Sequence, residues 1–319
     1  MNWQDKKVTV TGGAGFLGRV VCEKLRERGC GEVSVPRRAD YELTQEDAVK
    51  QMYSDFNPDV VIHLAAEVGG IGANRDHPGR FFFANMAMGL HLIENARINE
   101  IDKFVQVGTV CAYPKFASVP FHEDDIWNGY PEETNAPYGV AKKSLFVMLD
   151  AYKREYGLNG AVVLPVNLYG PADNFDLHTS HVIPALIRKC LEAKEANAPS
   201  ISCWGTGSAS REFLYVDDAA EGVIRAAETM NEPVPINLGT GSEIKIKDLV
   251  ELIVRLCDFE GDIEWDSTKP DGQPRRCLDT QRAADMMSWR AEVELEEGLR
   301  RTIEWYLAQD EIREVRYGD

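Results

Sequence analysis

Apolar and polar positions follow two periods along the chain, and the switches between them outline a strand–helix succession. Residues 7–11, Lys-Val-Thr-Val-Thr, alternate as a half-buried strand does. They run into Gly12-Gly-Ala-Gly-Phe-Leu-Gly18 and an amphipathic helix reaching about Arg28. Further strands are predicted at 32–35, 59–66 and 103–107, the last two as apolar runs of the kind that fill a buried parallel sheet. His63, inside the second run, reads as a packing histidine. Glu67-Val-Gly-Gly-Ile-Gly-Ala-Asn74 reads as a flexible Gly-rich loop, and long helices are predicted at 79–99 and 137–156. In the first of these, Phe81, Phe82, Phe83, Met86 and Met88 point to core or subunit contact. Residues 160–170 read as one more strand.

Beyond Pro171 the simple alternation ends. A helix is expected from His181, capped by Ser180, then a short strand at 201–204. The next helix carries Asp217 and Asp218 in its first turn, where the dipole favours acids. A helix at 246–258, a strand-like 262–265 and a last helix from about Leu295 complete the chain. The pattern predicts an α/β fold, a doubly wound Rossmann-type parallel sheet with a smaller C-terminal α/β lobe. Residues 1–169 with 201–239 are expected to form the cofactor domain, and 170–200 with 240–319 the substrate lobe, interleaved with it.

Composition narrows the classes. A chain of 319 residues with 44% apolar content is long and apolar enough for a sizeable core. No run reaches the length of a spanning helix and the N-terminus has no signal-peptide core, so a soluble, cytoplasmic protein away from membranes is expected. The seven cysteines are scattered, with no CxxC and no metal-ligand spacing, which fits a reducing compartment and no metal. A net charge of −17 argues against a general nucleic-acid binder and leaves room for a local nucleotide pocket.

The candidate chemistry sits where strands end. The Gly-rich stretch follows a strand and opens a helix, the context in which such loops cradle a pyrophosphate. Arg37 and Arg38 end the next strand, where a carboxylate would take the ribose hydroxyls of NAD and an arginine pairs with a 2′-phosphate. NADP(H) is therefore the expected cofactor, with Asp40 and Glu42 leaving NAD(H) open. In Gly108-Thr-Val-Cys-Ala-Tyr-Pro114, Thr109 and Cys111 fall at a strand's C-terminal lip. Tyr138 and Lys142, four residues apart, share a helical face. A free phenol has a pKa of about 10, and a neighbouring ammonium is expected to lower it.

Together these motifs resemble those of the extended short-chain dehydrogenases/reductases, in the NAD(P)-dependent sugar-nucleotide epimerase/dehydratase family. The family resemblance rests on TGGAGFLG at 11–18, Thr109, and YGVAK at 138–142. A closer similarity, to members acting on GDP-linked 4-keto sugars, rests on VGGIGAN at 68–74, GTVCAYPK at 108–115 and NLYGPADNF at 167–175. SHVIPALIRK at 180–189, REFLYVDD at 211–218 and KPDG at 269–272 extend it. The resemblance implies that Gly12, Gly13, Gly15, Phe16, Leu17, Gly18 and Ala65 line the cofactor site, and that Lys142 also binds the nicotinamide ribose. It implies that Tyr138 protonates the C4 alkoxide as hydride arrives, with Thr109 bonded to the reacting oxygen.

A 4-keto group acidifies C3 and C5, and a thiol and an imidazole, with pKa values of about 8.5 and 6.5, suit proton exchange there. By resemblance Cys111 is the base and His181 the acid. Asn167 would hold the sugar, Lys189 and Arg211 the diphosphate, Trp204 would lie near the guanine, and Asp271 would contact substrate. Lys189 replaces an expected Arg, and Thr109 the commoner Ser. The activity implied is conversion of GDP-4-keto-6-deoxy-D-mannose to GDP-L-fucose by a homodimer. Two alternatives stand beside it: an epimerase/reductase or C4 reductase for another 4-keto nucleotide sugar, such as a GDP-heptose, and a non-catalytic NADP-binding sensor.

Overall fold

The apolar runs pair side by side, all in one direction. The computed structural model describes residues 1–69, 71–177, 179–269 and 272–317. Lys7–Thr11 (β1) leads into Phe16–Glu27 (α1), Glu32–Ser34 (β2), Glu46–Phe56 (α2) and Val60–His63 (β3). Ile71–Asp76 (α3), Pro78–Ile98 (α4), Lys103–Val107 (β4), Ala136–Tyr156 (α5) and Gly160–Pro165 (β5) follow. The second half begins with Asn167–Tyr169 (β6), Val182–Glu195 (α6), Ser200–Trp204 (β7), Ser210–Arg211 (β8), Phe213–Tyr215 (β9) and Val216–Thr229 (α7). It ends with Pro235–Leu238 (β10), Ile244–Lys245 (β11), Ile246–Leu256 (α8), Asp262–Asp266 (β12), Gln281–Met287 (α9) and Leu295–Tyr317 (α10).

Six strands form a parallel sheet in the order β10-β5-β4-β3-β1-β2, the reversal after β1 marking a doubly wound topology. β3 and β4 are buried along their whole length because helices cover both faces. Helices α4 and α5 pack together over the sheet, while α1 packs with α7, which itself lies on β4 and β5. Burying Leu25 and Val21 of α1 is worth about 2 kcal/mol each by area. A second apolar cluster gathers Ile183 and Ile187 of α6, Ile201 and Cys203 of β7, Leu249 and Ile253 of α8, and Leu299 of α10. Among the described residues no helix is long and apolar enough to cross a membrane.

The structure departs from the sequence pattern in several places. Residues 160–170 form two strands: β5 stays in the large sheet, while β6 leaves it to pair with β9 through Asn167 opposite Phe213. The break falls at Val166, directly after Pro165, which ends β5 and brings no N–H to a ladder. Part of the Gly-rich 67–74 stretch is helical, as α3. Ser180 does not cap α6: His181 is the N-cap residue, and the Ser180 hydroxyl is buried without a partner. Helix α2 was not anticipated, although Val49, Met52, Tyr53 and Phe56 keep a helical spacing. Strand β7 pairs with β12 in the second cluster, whereas β10 returns to the large sheet.

Candidate active site

At the C-terminal end of β1 the backbone turns through Gly12, whose φ of +71° is a left-handed conformation that glycine adopts without strain. A Cβ there would stand 2.8 Å from the Ala65 nitrogen, so the chain leaving β3 lies against the turn. Gly15 is the N-cap of α1 and offers no side-chain cap, and Phe16, Leu17 and Gly18 open the helix with no acid in its first turn. Unclaimed N–H groups and the positive helix end fit an anion such as a pyrophosphate. A Cβ at Gly13 would lie 2.8 Å from the Val35 side chain, which brings the exit of β2, with Arg37 and Arg38, beside the same turn. These residues fit a dinucleotide.

Between α5 and the end of β4 the reacting groups of the resemblance come together. Thr109 N-caps a single 3-10 turn at Val110–Ala112, its hydroxyl accepting from the Cys111 N–H at 3.2 Å. Helix α5 approaches this turn closely because residue 139 is glycine: a Cβ there would lie 2.3 Å from the Cys111 carbonyl oxygen. The spacing of four then sets Tyr138 and Lys142 on the same buried face of α5. Burial raises the Tyr138 phenol well above its ordinary range, the charge of a Cys111 thiolate adds to this, and the hydrogen bond with Thr109 offsets part.

Here the expectation that Lys142 depresses the phenol is corrected. Lys142 is itself desolvated, which brings its pKa down to about 8, and its ammonium donates to the Val107 carbonyl at 3.3 Å. Desolvation of the phenol therefore wins, and Tyr138 is held protonated, the state a proton donor needs. His63 is buried and bonded through Nδ1 to the Thr11 hydroxyl at 2.7 Å. Burial first, and the nearby Lys142 charge second, keep its pKa well below the usual value, so it is a neutral packing group.

His181 stands apart from this cluster, at the start of α6 in the second lobe. Its side chain is exposed at the surface, and desolvation by the surrounding chain lowers its pKa. Of the substrate anchors, Asn167 donates to the Glu212 carbonyl at 3.0 Å, and Arg211 to the Ser210 carbonyl at 2.7 Å. Lys189 reaches the Ser202 carbonyl at 3.1 Å, two residues from Trp204 on β7. The Trp204 side chain is 68% exposed, and the Lys269 ammonium lies over its ring, 5.5 Å from the centroid. Asp271 lies outside the described residues.

Two supports of the site were missed from the sequence. Glu212 is fully buried, and its carboxylate accepts from the N–H groups of Thr240, Gly241 and Leu278 at 2.5, 2.7 and 2.7 Å. It thereby ties the strand bearing Arg211 to the turn after β10. Asn237 of β10 accepts from the Tyr113 hydroxyl at 2.7 Å and donates to the carbonyls of Phe121 and Asp279, while Glu123 accepts its backbone N–H. This brace holds the exit of the Thr109–Cys111 turn. Buried carboxylates and amides at such positions are only recognisable once their distant partners are known.

A model of the "NAD dependent epimerase/dehydratase family" matches residues 8–239. The GDP-L-fucose synthase of Sinorhizobium fredii is 38% identical over 303 residues, covering 95% of this chain and 96% of the relative. A GDP-L-fucose synthetase from Naegleria fowleri, solved with NADP bound, superposes with a TM-score of 0.89 at 27% identity, covering 97% of this chain and 94% of that one. A GDP-6-OMe-4-keto-L-xylo-heptose reductase from C. jejuni superposes with a TM-score of 0.90 at 27% identity, over 96% and 99% of the two chains. With a dinucleotide cradle, a buried Tyr–Lys pair and these matches across its length, the chain belongs to the NAD-dependent epimerase/dehydratase family.

Proposed function

We infer that the protein is a bifunctional 3,5-epimerase and NADPH-dependent 4-ketoreductase converting GDP-4-keto-6-deoxy-D-mannose to GDP-L-fucose. The observation that carries this reading is the meeting of Thr109, Cys111 and a protonated Tyr138 in one volume, backed by Lys142. A reductase alone uses the Thr, Tyr and Lys; the added thiol is what epimerisation requires. When bound, the reduced nicotinamide supplies hydride to C4. Tyr138 gives its proton to the C4 oxygen, and Thr109 fixes that oxygen by a hydrogen bond. Cys111 removes the acidic hydrogens at C3 and C5, and His181, across the substrate ring on the second lobe, delivers protons to the opposite face. Arg211 and Lys189 meet the diphosphate by charge, and Trp204 the base by stacking.

The test is the configuration of the purified product by NMR. The L-fucose configuration is expected. A 6-deoxyhexose that keeps the D configuration at C5 would convert the assignment to a C4 reductase, the role named for the heptose-acting neighbour. Turnover of a GDP-heptose with none of the deoxymannose derivative would move the substrate instead.

Lys142 gives this reading a pH signature. Its ammonium is needed beside the nicotinamide ribose and the phenol, so kcat/KM is expected to fall above pH about 8 as the buried group loses its proton. Stability moves the other way. The folded pKa lies below the ordinary value of 10.5, so the unfolded chain binds more protons between about 8 and 10.5 and this group's contribution rises with pH there. A profile of kcat/KM flat to pH 10 contradicts the role.

We read the protein as a homodimer through α4 and α5, whose outer surfaces leave Phe83, Leu90, Ile98, Val147 and Tyr156 exposed. Light scattering should give twice the chain mass, and Leu90→Lys with Val147→Lys should halve it. A monomeric parent protein would end this reading.

A further inference from the structure

The two arginines beside the Gly-rich turn are in different states. Arg37 is exposed and makes no ion pair among the described residues. Arg38 is already engaged: its Nε donates to Glu42 at 2.8 Å and its Nη1 to Glu67 at 3.2 Å. Glu42 follows β2 and Glu67 follows β3, and these strands flank β1 on either side. The Arg38–Glu67 pair therefore bridges two strand exits across the lip from which the cofactor loop springs. Glu67 is the firmer end. Arg80 of α4 binds it at 2.6 Å, and its backbone N–H and carbonyl are both hydrogen-bonded to the Asn85 side chain. Glu42 is steadied by the Thr44 hydroxyl at 3.0 Å.

We propose that Glu42 and Glu67 set the cofactor preference of this site, by competing with an adenosine 2′-phosphate for Arg38 and by offering carboxylate oxygens to a free 2′-hydroxyl. A 2′-phosphate must share or displace those carboxylates, leaving Arg37 as its uncontested cation. A 2′-hydroxyl instead finds acceptors already in place. Preference for NADP(H) over NAD(H) is then smaller than two adjacent arginines alone would give. This inference rests on the Gly-rich turn being the dinucleotide site.

Calorimetric titration of the full-length protein with 2′,5′-ADP and with 5′-AMP tests it without turnover. Glu42→Gln, a change at a half-exposed surface side chain, should tighten 2′,5′-ADP by about fivefold, the scale of one exposed ion pair, and should weaken rather than tighten 5′-AMP, whose 2′-hydroxyl loses a carboxylate acceptor. In an Arg38→Ala background the same change should do nothing to 2′,5′-ADP. An equal gain for both nucleotides, or a gain that survives loss of Arg38, overturns the proposal, because the carboxylate would then act as a general field. If neither nucleotide, nor NADP+ itself, binds the parent protein, the assignment of the dinucleotide site fails and takes the proposal with it.

Discussion

Tyr138→Phe should lower the rate of ketone reduction roughly a thousandfold, within the range general-acid catalysis supplies, and leave NADP+ affinity unchanged. The substitution removes one oxygen from a buried position on α5 and leaves the ring that fills it. On the proposed reading the phenol's proton is the acid for the C4 alkoxide, and burial favours the protonated phenol. Its loss therefore falls on the chemical step, and kcat and kcat/KM should drop together. Tryptophan-fluorescence titration with NADP+ separates the two effects. Unimpaired turnover in the variant would support the cofactor-binding sensor in place of the enzyme.

Cys111→Ser should be the second large effect, and it should be selective. A serine hydroxyl at this position keeps the size of the thiol but is a far weaker acid, so its conjugate base is scarce near neutrality. Deuterium uptake at C3 and C5 should fall by roughly a hundredfold or more, the contribution of a positioned base, while NADP+ binding is retained. His181→Asn should behave differently. Cys111 can still remove a proton and return it to the same face, so exchange with solvent continues while inversion fails. The measurement is solvent-deuterium incorporation alongside product configuration. If His181→Asn stops exchange and Cys111→Ser does not, base and acid have been assigned the wrong way round.

Much of this site was legible because its signals are local. The glycine turn, with a strand before it and a helix after, works through backbone geometry that adjacent residues determine. Tyr138 and Lys142 share a face by helical spacing, and the glycine between them, Gly139, is what lets α5 approach the Cys111 carbonyl. The electrostatics were less legible. A Tyr–Lys pair suggests a lowered phenol pKa, but desolvation of both groups raises Tyr138 and lowers Lys142 to about 8. Burial of that depth depends on the surrounding fold. Glu212 and Asn237 escaped for the same reason: each holds chain segments remote in sequence, and nothing beside them marks the partner. Ser180 had the right chemistry for a cap, yet the helix begins one residue later than expected, at Val182, with His181 in the N-cap position.

The fold followed a similar division. Continuous apolar runs at β3 and β4 announced buried parallel strands, and the order of strands and helices announced the doubly wound sheet. The departure of β6 from that sheet was hidden inside an unbroken apolar stretch, because periodicity does not say which neighbour a strand chooses.

The claim that most defines this account is that one site both inverts C3 and C5 and reduces C4. Its direct test is NADPH oxidation by the purified protein with GDP-4-keto-6-deoxy-D-mannose in heavy water, followed by NMR of the product. Oxidation accompanied by deuterium at both C3 and C5 of an L-fucose product is the predicted result. Oxidation with no deuterium at either carbon would contradict it.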